Sequence, residues 1–393
     1  MRSSTSSSER QTAADRPGVA QPVPLRPVPP KPWGAMFAVV FALALVFTGL
    51  WEWQMRVRDL APGDLGDGPS AWAEQRRRID TEQIQVAIVG DSRILFDTNF
   101  NRFAALTGIR PLQLALPGTN ARPFLEDLAD DPHFNGLLIV GISDVSYFRE
   151  GAGLMKDALT RFHHESPSQR VSFLLHRELT RFVAFLDDDY RLSTLVARLD
   201  PGLRAVEDGP YDDVWKISTT TDDRYTWLWP RIERDARLRA HARAVWLHPP
   251  TSFVGKPVTA AIIAMTLNKT RIAVAKIRAH GGDVIFVRPP SAPELRKHED
   301  ERLPRGRGWD ALLAAAKVKG IHADDVPAMK GLVIPEYSHL SRGCAAVFTD
   351  AYVRQLAQLT PRIRLLPGAP PPISQRACVP VTGNAKAQIA ERQ

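Results

Sequence analysis

The sequence predicts an α/β domain with a mostly parallel central sheet covered by helices on both faces, hung from one N-terminal transmembrane helix. Three observations predict it. Short apolar runs alternate with segments of helical periodicity, the pattern of strand, crossover helix, parallel strand. One stretch near the N-terminus carries no charge over about nineteen residues. The alternation breaks once, in the middle of the chain, and then resumes.

Residues 1–32 are rich in Ser, Pro, Ala and Arg and have almost nothing to bury, so they read as a disordered tail. Trp33 to Trp51, WGAMFAVVFALALVFTGLW, is uncharged. At about 1.5 Å per residue it nearly crosses a hydrocarbon core of about 30 Å. We read residues 33–53 as a single membrane anchor, with Trp33, Trp51 and Trp53 at the two interfaces. A cleavable signal peptide would have a shorter leader and a small-residue cleavage site where this chain has LWEW. A buried soluble helix would show a polar face, which this segment lacks. Arg2, Arg10, Arg16, Arg26 and Lys31 precede the helix and only Arg56 and Arg58 follow it closely. That balance predicts a cytoplasmic N-terminus and a main domain outside the inner membrane, in a bacterium the periplasm.

A polar connector, residues 54–78, leads into the domain at 79–365. Strands are expected at Val86–Val89, Leu112–Leu116, Leu137–Ile142, Val284–Val287 and, more weakly, Gly320–Asp325. Residues 149–256 read as an insertion after the third strand, first helical and then irregular, with Trp215, Trp227, Trp229 and Trp246 among many arginines. Those tryptophans suit either packing of the insertion's own core or a sugar-stacking platform. From 366 onward, PGAPPPISQ opens a loose tail.

The formal charge of +8 is spread along the chain, densest at Arg76-Arg77-Arg78, and no nucleic-acid-binding signature accompanies it. Attraction to anionic lipid or an acidic polysaccharide fits that spread equally well. With only Cys344 and Cys378, a disulfide framework is excluded. The two either pair in an oxidising compartment or stand as separate thiols. No His/Cys spacing suggests zinc, and His163-His164 and Asp187-Asp188-Asp189 read as solvated surface.

Two segments carry chemistry. The first strand ends in IVGDSR, where Gly90-Asp91-Ser92 reads either as a strand-to-helix turn, with glycine supplying unusual backbone angles and Asp and Ser capping, or as a nucleophile at the mouth of a helix. Far downstream, PEYSHLS puts Glu336 three residues before His339. A serine needs a base, and an imidazole serves best when a carboxylate holds its second nitrogen. Asp324 or Asp325 is an alternative acid.

These two blocks resemble the first and last blocks of the SGNH (GDSL-like) hydrolase superfamily. The resemblance implies a flavodoxin-like three-layer sandwich, with Ser92 as nucleophile, His339 as general base and Glu336 orienting it. It also implies an oxyanion hole made by Ser92, Gly118 in LALPGTN and the residue at the family's Asn position, here Ser143 in GISD. Ser143 for Asn and Glu336 for Asp are departures from the pattern. Substrate contacts are expected at Arg93, Asn120, Asp144 and Arg288, although Asp144 is most simply a helix cap and Arg93 most simply a surface salt bridge. No cofactor or metal is implied. With its single anchor, the chain resembles membrane-bound O-acyltransferases and esterases of exopolysaccharides, which work beside a polytopic membrane acyltransferase. The expected substrate is therefore an acylated cell-envelope glycan. The competing expectation is a non-catalytic envelope or exopolysaccharide assembly protein that keeps the fold and binds glycan. A phosphate-ester hydrolase using Asp91 lacks the carboxylate cluster a metal would need.

Overall fold

The computed structural model describes residues 31–149, 154–197, 216–247 and 255–378. The expected tails at 1–30 and 379–393, and Trp215, lie outside the described residues. The chain divides into two compact units, residues 1–50 and 51–393. In the first, the apolar run is helical as part of a 25-residue helix, Trp33–Val57, whose mean hydropathy of 2.2 over its most apolar window makes it long and apolar enough to cross a membrane.

The second unit is built on a five-stranded sheet: β1 (Val86–Gly90), β2 (Leu112–Gln113), β3 (Leu137–Gly141), β6 (Asp283–Arg288) and β7 (Lys319–His322). Two short strands, β4 (Ser218–Thr220) and β5 (Thr226–Leu228), form a separate antiparallel pair. The large sheet runs β2-β1-β3-β6-β7, parallel throughout. All five expected strands are present and in this one sheet. Both faces are covered, so alternate residues of each strand enter different cores. Ala87, Val89, Leu138, Val140 and Phe286 join Trp72, Phe124 and Ile277 on one side. Val86, Ile88, Ile139 and Val287 join Phe103, Phe348 and Tyr352 on the other.

The order of the strands reverses between β1 and β3, and a crevice opens at the carboxyl ends of strands at such a point. Glycine ends both strands, Gly90 paired with Gly141. Neither has a left-handed φ, contrary to the expectation for Gly90. Their requirement is space: a Cβ on Gly141 would lie 2.1 Å from Ile94 Cβ, and one on Gly90 would lie 2.2 Å from Ile94 Cγ2. The helix Ser92–Asp97 is thereby laid directly on the two strand ends.

Between β3 and β6 lies the insertion, with helices Leu154–His164, Pro167–Thr180, Leu192–Ala197 and Ala236–Leu247 beside the β4–β5 pair. It builds its own core from Tyr190, Leu228, Trp229, Ile232 and Leu238, which also takes in Met55 and Leu60. Trp227 packs instead into the main core beside Tyr225. Asp187, expected on the surface, is buried with Asp64 around Lys216, at 2.7 and 2.9 Å from its ammonium. A cation shared by two acids is what lets those charges leave water. The basic run is likewise used internally. Arg76 is buried against Asp127 and Asp131, Arg77 meets Glu165 and Arg78 meets Glu82.

Cys344 and Cys378 form a disulfide, resolving the open alternative in favour of pairing. It ties the tail to the first turn of the last long helix, Arg342–Leu359.

Gly141→Ala is expected to cost about 1–3 kcal/mol by overpacking. Thermal unfolding checks it, and adding Ile94→Ala should not recover the loss, because the nearest clash is with Ile94 Cβ, which alanine keeps.

Candidate active site

Ser92 is the first residue of its helix, at the carboxyl edge of β1, and is 8% exposed. Asp91 caps that helix, accepting the Arg93 N–H at 3.1 Å. Its other oxygen accepts the Ser143 N–H at 3.1 Å and the Ser143 hydroxyl at 2.5 Å. The end of β3 is thus bolted to the cap beside Ser92. This corrects the expectation for Ser143: its hydroxyl is drawn to the buried carboxylate and is not turned outward as a donor. Gly118 sits at φ +67° in the turn after β2. That turn is held to β1 by Leu116 N–H donating to the Gly90 carbonyl at 3.1 Å. Ser92, Gly118 and Ser143 therefore share one edge of the sheet, with the Ser92 amide at a helix position that has no intrahelical acceptor.

The second segment folds back on itself. Tyr337 adopts φ +79°, a left-handed conformation that costs a bulky residue of order 1–3 kcal/mol. Its carbonyl is held by Ala292 N–H at 3.0 Å, and its ring lies under the Arg243 guanidinium at 5.0 Å. The kink turns Glu336 toward the residues that follow it. Glu336 Oε1 accepts the Ser338 N–H, the His339 N–H and, at 2.9 Å, His339 Nδ1. The carboxylate paired with His339 is therefore Glu336. Asp324 and Asp325 are half-exposed and pair with Arg296 and Arg305. The indole N–H of Trp246 donates to Glu336 Oε2, and the Trp246 ring stands edge-on to His339 at 5.5 Å. Burial pushes the Glu336 carboxyl upward, but His339 beside it and these donors outweigh that and hold it below the ordinary carboxylate range.

With Nδ1 facing Glu336, His339 Nε2 is buried and has no hydrogen-bond partner among the described residues. Ser92 therefore does not donate to it in this structure. The two segments are nevertheless joined. His339 packs on Phe96 with ring centroids 4.3 Å apart, and Phe96 is one turn beyond Ser92 on the same helix face. Leu340 N–H donates to Asp97 at 2.9 Å, and Arg93 Nε donates to Ser338 at 3.3 Å. Asp97 is fully buried, and burial pushes its pKa well above the usual value against the Leu340 N–H and Arg93.

Three of the residues expected to touch substrate belong to one buried ionic network. Glu299 bridges Arg93 and Arg288, the latter at 2.5 Å, and Arg288 reaches Asp144 at 3.2 Å. Ser291 adds a hydroxyl to Glu299 at 2.8 Å. Arg93 is thus not a surface salt bridge, nor is Asp144 a cap. Two cations and two anions balance within the buried interior, the condition under which such a cluster survives burial. Asn120 caps the helix Ala121–Ala129 through Arg122 N–H and donates to the Arg149 carbonyl. All four expected contacts are therefore engaged internally. A cavity of about 490 Å³ adjoins the other side of the histidine loop, lined by Arg243, Ser291, Asp324, Lys330 and Tyr337.

Trp246, Glu299 and Asp97 are the residues that sequence reasoning missed. Glu299 carried a signal, since it lies four residues after Leu295 on the buried face of Pro293–Arg302. Trp246 carried none beyond its place in an aromatic-rich stretch.

No protein-family model matches this chain, and neither the curated proteins nor the solved structures contain a match to it.

Burial raises the Glu299 carboxyl, yet Arg93 and Arg288 hold it at about 2, below its ordinary value of 4.5. A depressed carboxylate stabilises the fold above the unfolded pKa and loses that contribution as pH falls from about 4.5 toward 2. Glu299→Gln should therefore lose about 3–5 kcal/mol at neutral pH. Its stability should also fall less steeply than wild type across that acid window, as read by urea unfolding at several pH values.

Proposed function

We propose that the chain is a membrane-anchored SGNH-like serine esterase or O-acyltransferase, with the flavodoxin-like sandwich of that superfamily, acting on acyl groups of a cell-envelope polysaccharide. The observation that carries this reading is the Glu336–His339 pair. A buried carboxylate holds Nδ1 at 2.9 Å and leaves Nε2 without a hydrogen-bond partner among the described residues, on a ring packed against Phe96, which is one helical turn from Ser92. Catalytic contacts of this kind are commonly loose without substrate and tighten in the complex. In the reaction, Ser92 Oγ attacks the ester carbonyl as Nε2 takes its proton. The negative oxygen that forms is met by the Ser92 and Gly118 amides. Collapse expels the alcohol, which takes the proton from Nε2 and leaves an acyl-serine. Water then gives the free acid, or a sugar hydroxyl gives a new ester.

Localisation belongs to the same proposal: a single-pass bacterial inner-membrane protein with a cytoplasmic N-terminus and a periplasmic domain, working beside a polytopic acyltransferase. The helix Trp33–Val57 and the Cys344–Cys378 disulfide support it, since disulfides persist in oxidising compartments.

A second reading, a glycan-binding assembly protein, is favoured by Ser143. With its hydroxyl on Asp91, the oxyanion is left with two backbone donors, and one lost donor costs about 100- to 1000-fold in rate. Fluorophosphonate labelling separates the two readings. Labelling that disappears in Ser92→Ala and His339→Ala supports catalysis, and well-folded wild-type protein that takes no label supports the binding role. Esterase activity on an aryl acetate should fall by about 10⁴-fold in either variant. Trp246→Phe keeps the ring but removes the donor to Glu336, and it should lower kcat while the labelled residue stays the same.

A further inference from the structure

The helix Pro167–Thr180 turns an apolar stripe outward. Val171, Leu175 and Leu179 are spaced by four, and Phe182 continues the line just past its end. All are more than half exposed, Phe182 by 74%. Leu192 and Val196 on the short helix Leu192–Ala197 are exposed as well, at 66% and 55%. A water-soluble surface rarely leaves a row of large apolar side chains such as Val171, Leu175, Leu179 and Phe182 without an occupant.

The occupant follows from where the chain leaves the apolar run. Glu52 is the first charged residue after it, between Trp51 and Trp53. Its carboxylate accepts Ala184 N–H at 2.8 Å and Phe185 N–H at 3.1 Å. Phe182 is two residues away, within about 7 Å along the chain. The segment carrying the stripe is therefore pinned to the residue that marks the membrane exit. Trp53 and Val57, close to Glu52 in the same helix, are also exposed apolar side chains. The polar positions of the helix carry Arg170 and Arg177, followed by Arg181, against the single acid Glu178, the pattern of a helix lying in a headgroup layer.

We propose that Leu175, Leu179 and Phe182, with Leu192 and Val196, are seated in the headgroup–hydrocarbon boundary of the bilayer that the N-terminal helix crosses. This inference rests on that helix being a membrane anchor and is independent of the catalytic reading. The insertion is then a second membrane contact that fixes the height and tilt of the domain.

The test uses full-length protein in vesicles of phosphatidylcholine and phosphatidylglycerol. Both native cysteines are paired, so one cysteine at a time is added and labelled with an environment-sensitive dye: Phe182→Cys, Leu175→Cys, Phe47→Cys within the anchor, and Glu301→Cys on a polar helix. Spin-labelled lipid should quench positions 47, 175 and 182 and spare 301. A further pair, Leu175→Glu with Phe182→Glu, should return a dye at position 179 to water while position 47 stays quenched. Quenching at 47 without quenching at 175 or 182 overturns the proposal and leaves the anchor standing. No quenching at 47 overturns both. Protection that rises with protein-to-lipid ratio identifies a second copy, and protection confined to native membranes identifies another membrane protein; either overturns the lipid assignment.

Discussion

One buried carboxylate holds the candidate site together. Glu299 lies between the guanidiniums of Arg93, next to Ser92, and Arg288, at the end of β6. Arg93 also donates to Ser338, next to His339. Ser92 and His339, the centres of the two candidate segments, are 247 positions apart in sequence, and their segments meet through this one side chain and its partners. A single unpaired charge here would cost several kcal/mol, so the geometry is enforced by electrostatics in a region with little water. Asp97 adds a direct tie by accepting the Leu340 N–H.

The sheet makes that meeting possible. Parallel strands with short carboxyl-end loops deliver Ser92, Gly118 and Ser143 to one edge. The close approach of Ile94 to two glycines brings the helix that begins at Ser92 down onto that edge. The insertion then reaches over from the side with Trp246, completing the hydrogen-bonding of Glu336. A domain without that helix would leave the second carboxylate oxygen to other partners.

Much of this was legible in the residues. Val86–Val89 and Leu137–Ile142 read as buried strands because apolar runs bounded by glycine have few other uses, and Glu336 three before His339 announced a local pair. The reason for Gly90 was misread, since close packing across β1 and β3 leaves no mark in the local sequence. Arg93, Asp144 and Arg288 were misread for the same cause. Each looked like an ordinary polar residue near a strand end, and only the tertiary arrangement brings Glu299 among them. Ser143 showed that position in a motif does not determine direction, because a hydroxyl follows the strongest acceptor in reach.

The disulfide carries a consequence for biogenesis. Cys378 follows Cys344 by 34 residues, and Cys344 stands only five residues past His339. Ribosomes make the sheet and the insertion long before Cys378 emerges, and domains begin to fold as they are made. The imidazole-bearing loop is therefore clamped covalently only after Cys378 has been made, and only where an oxidant is at hand.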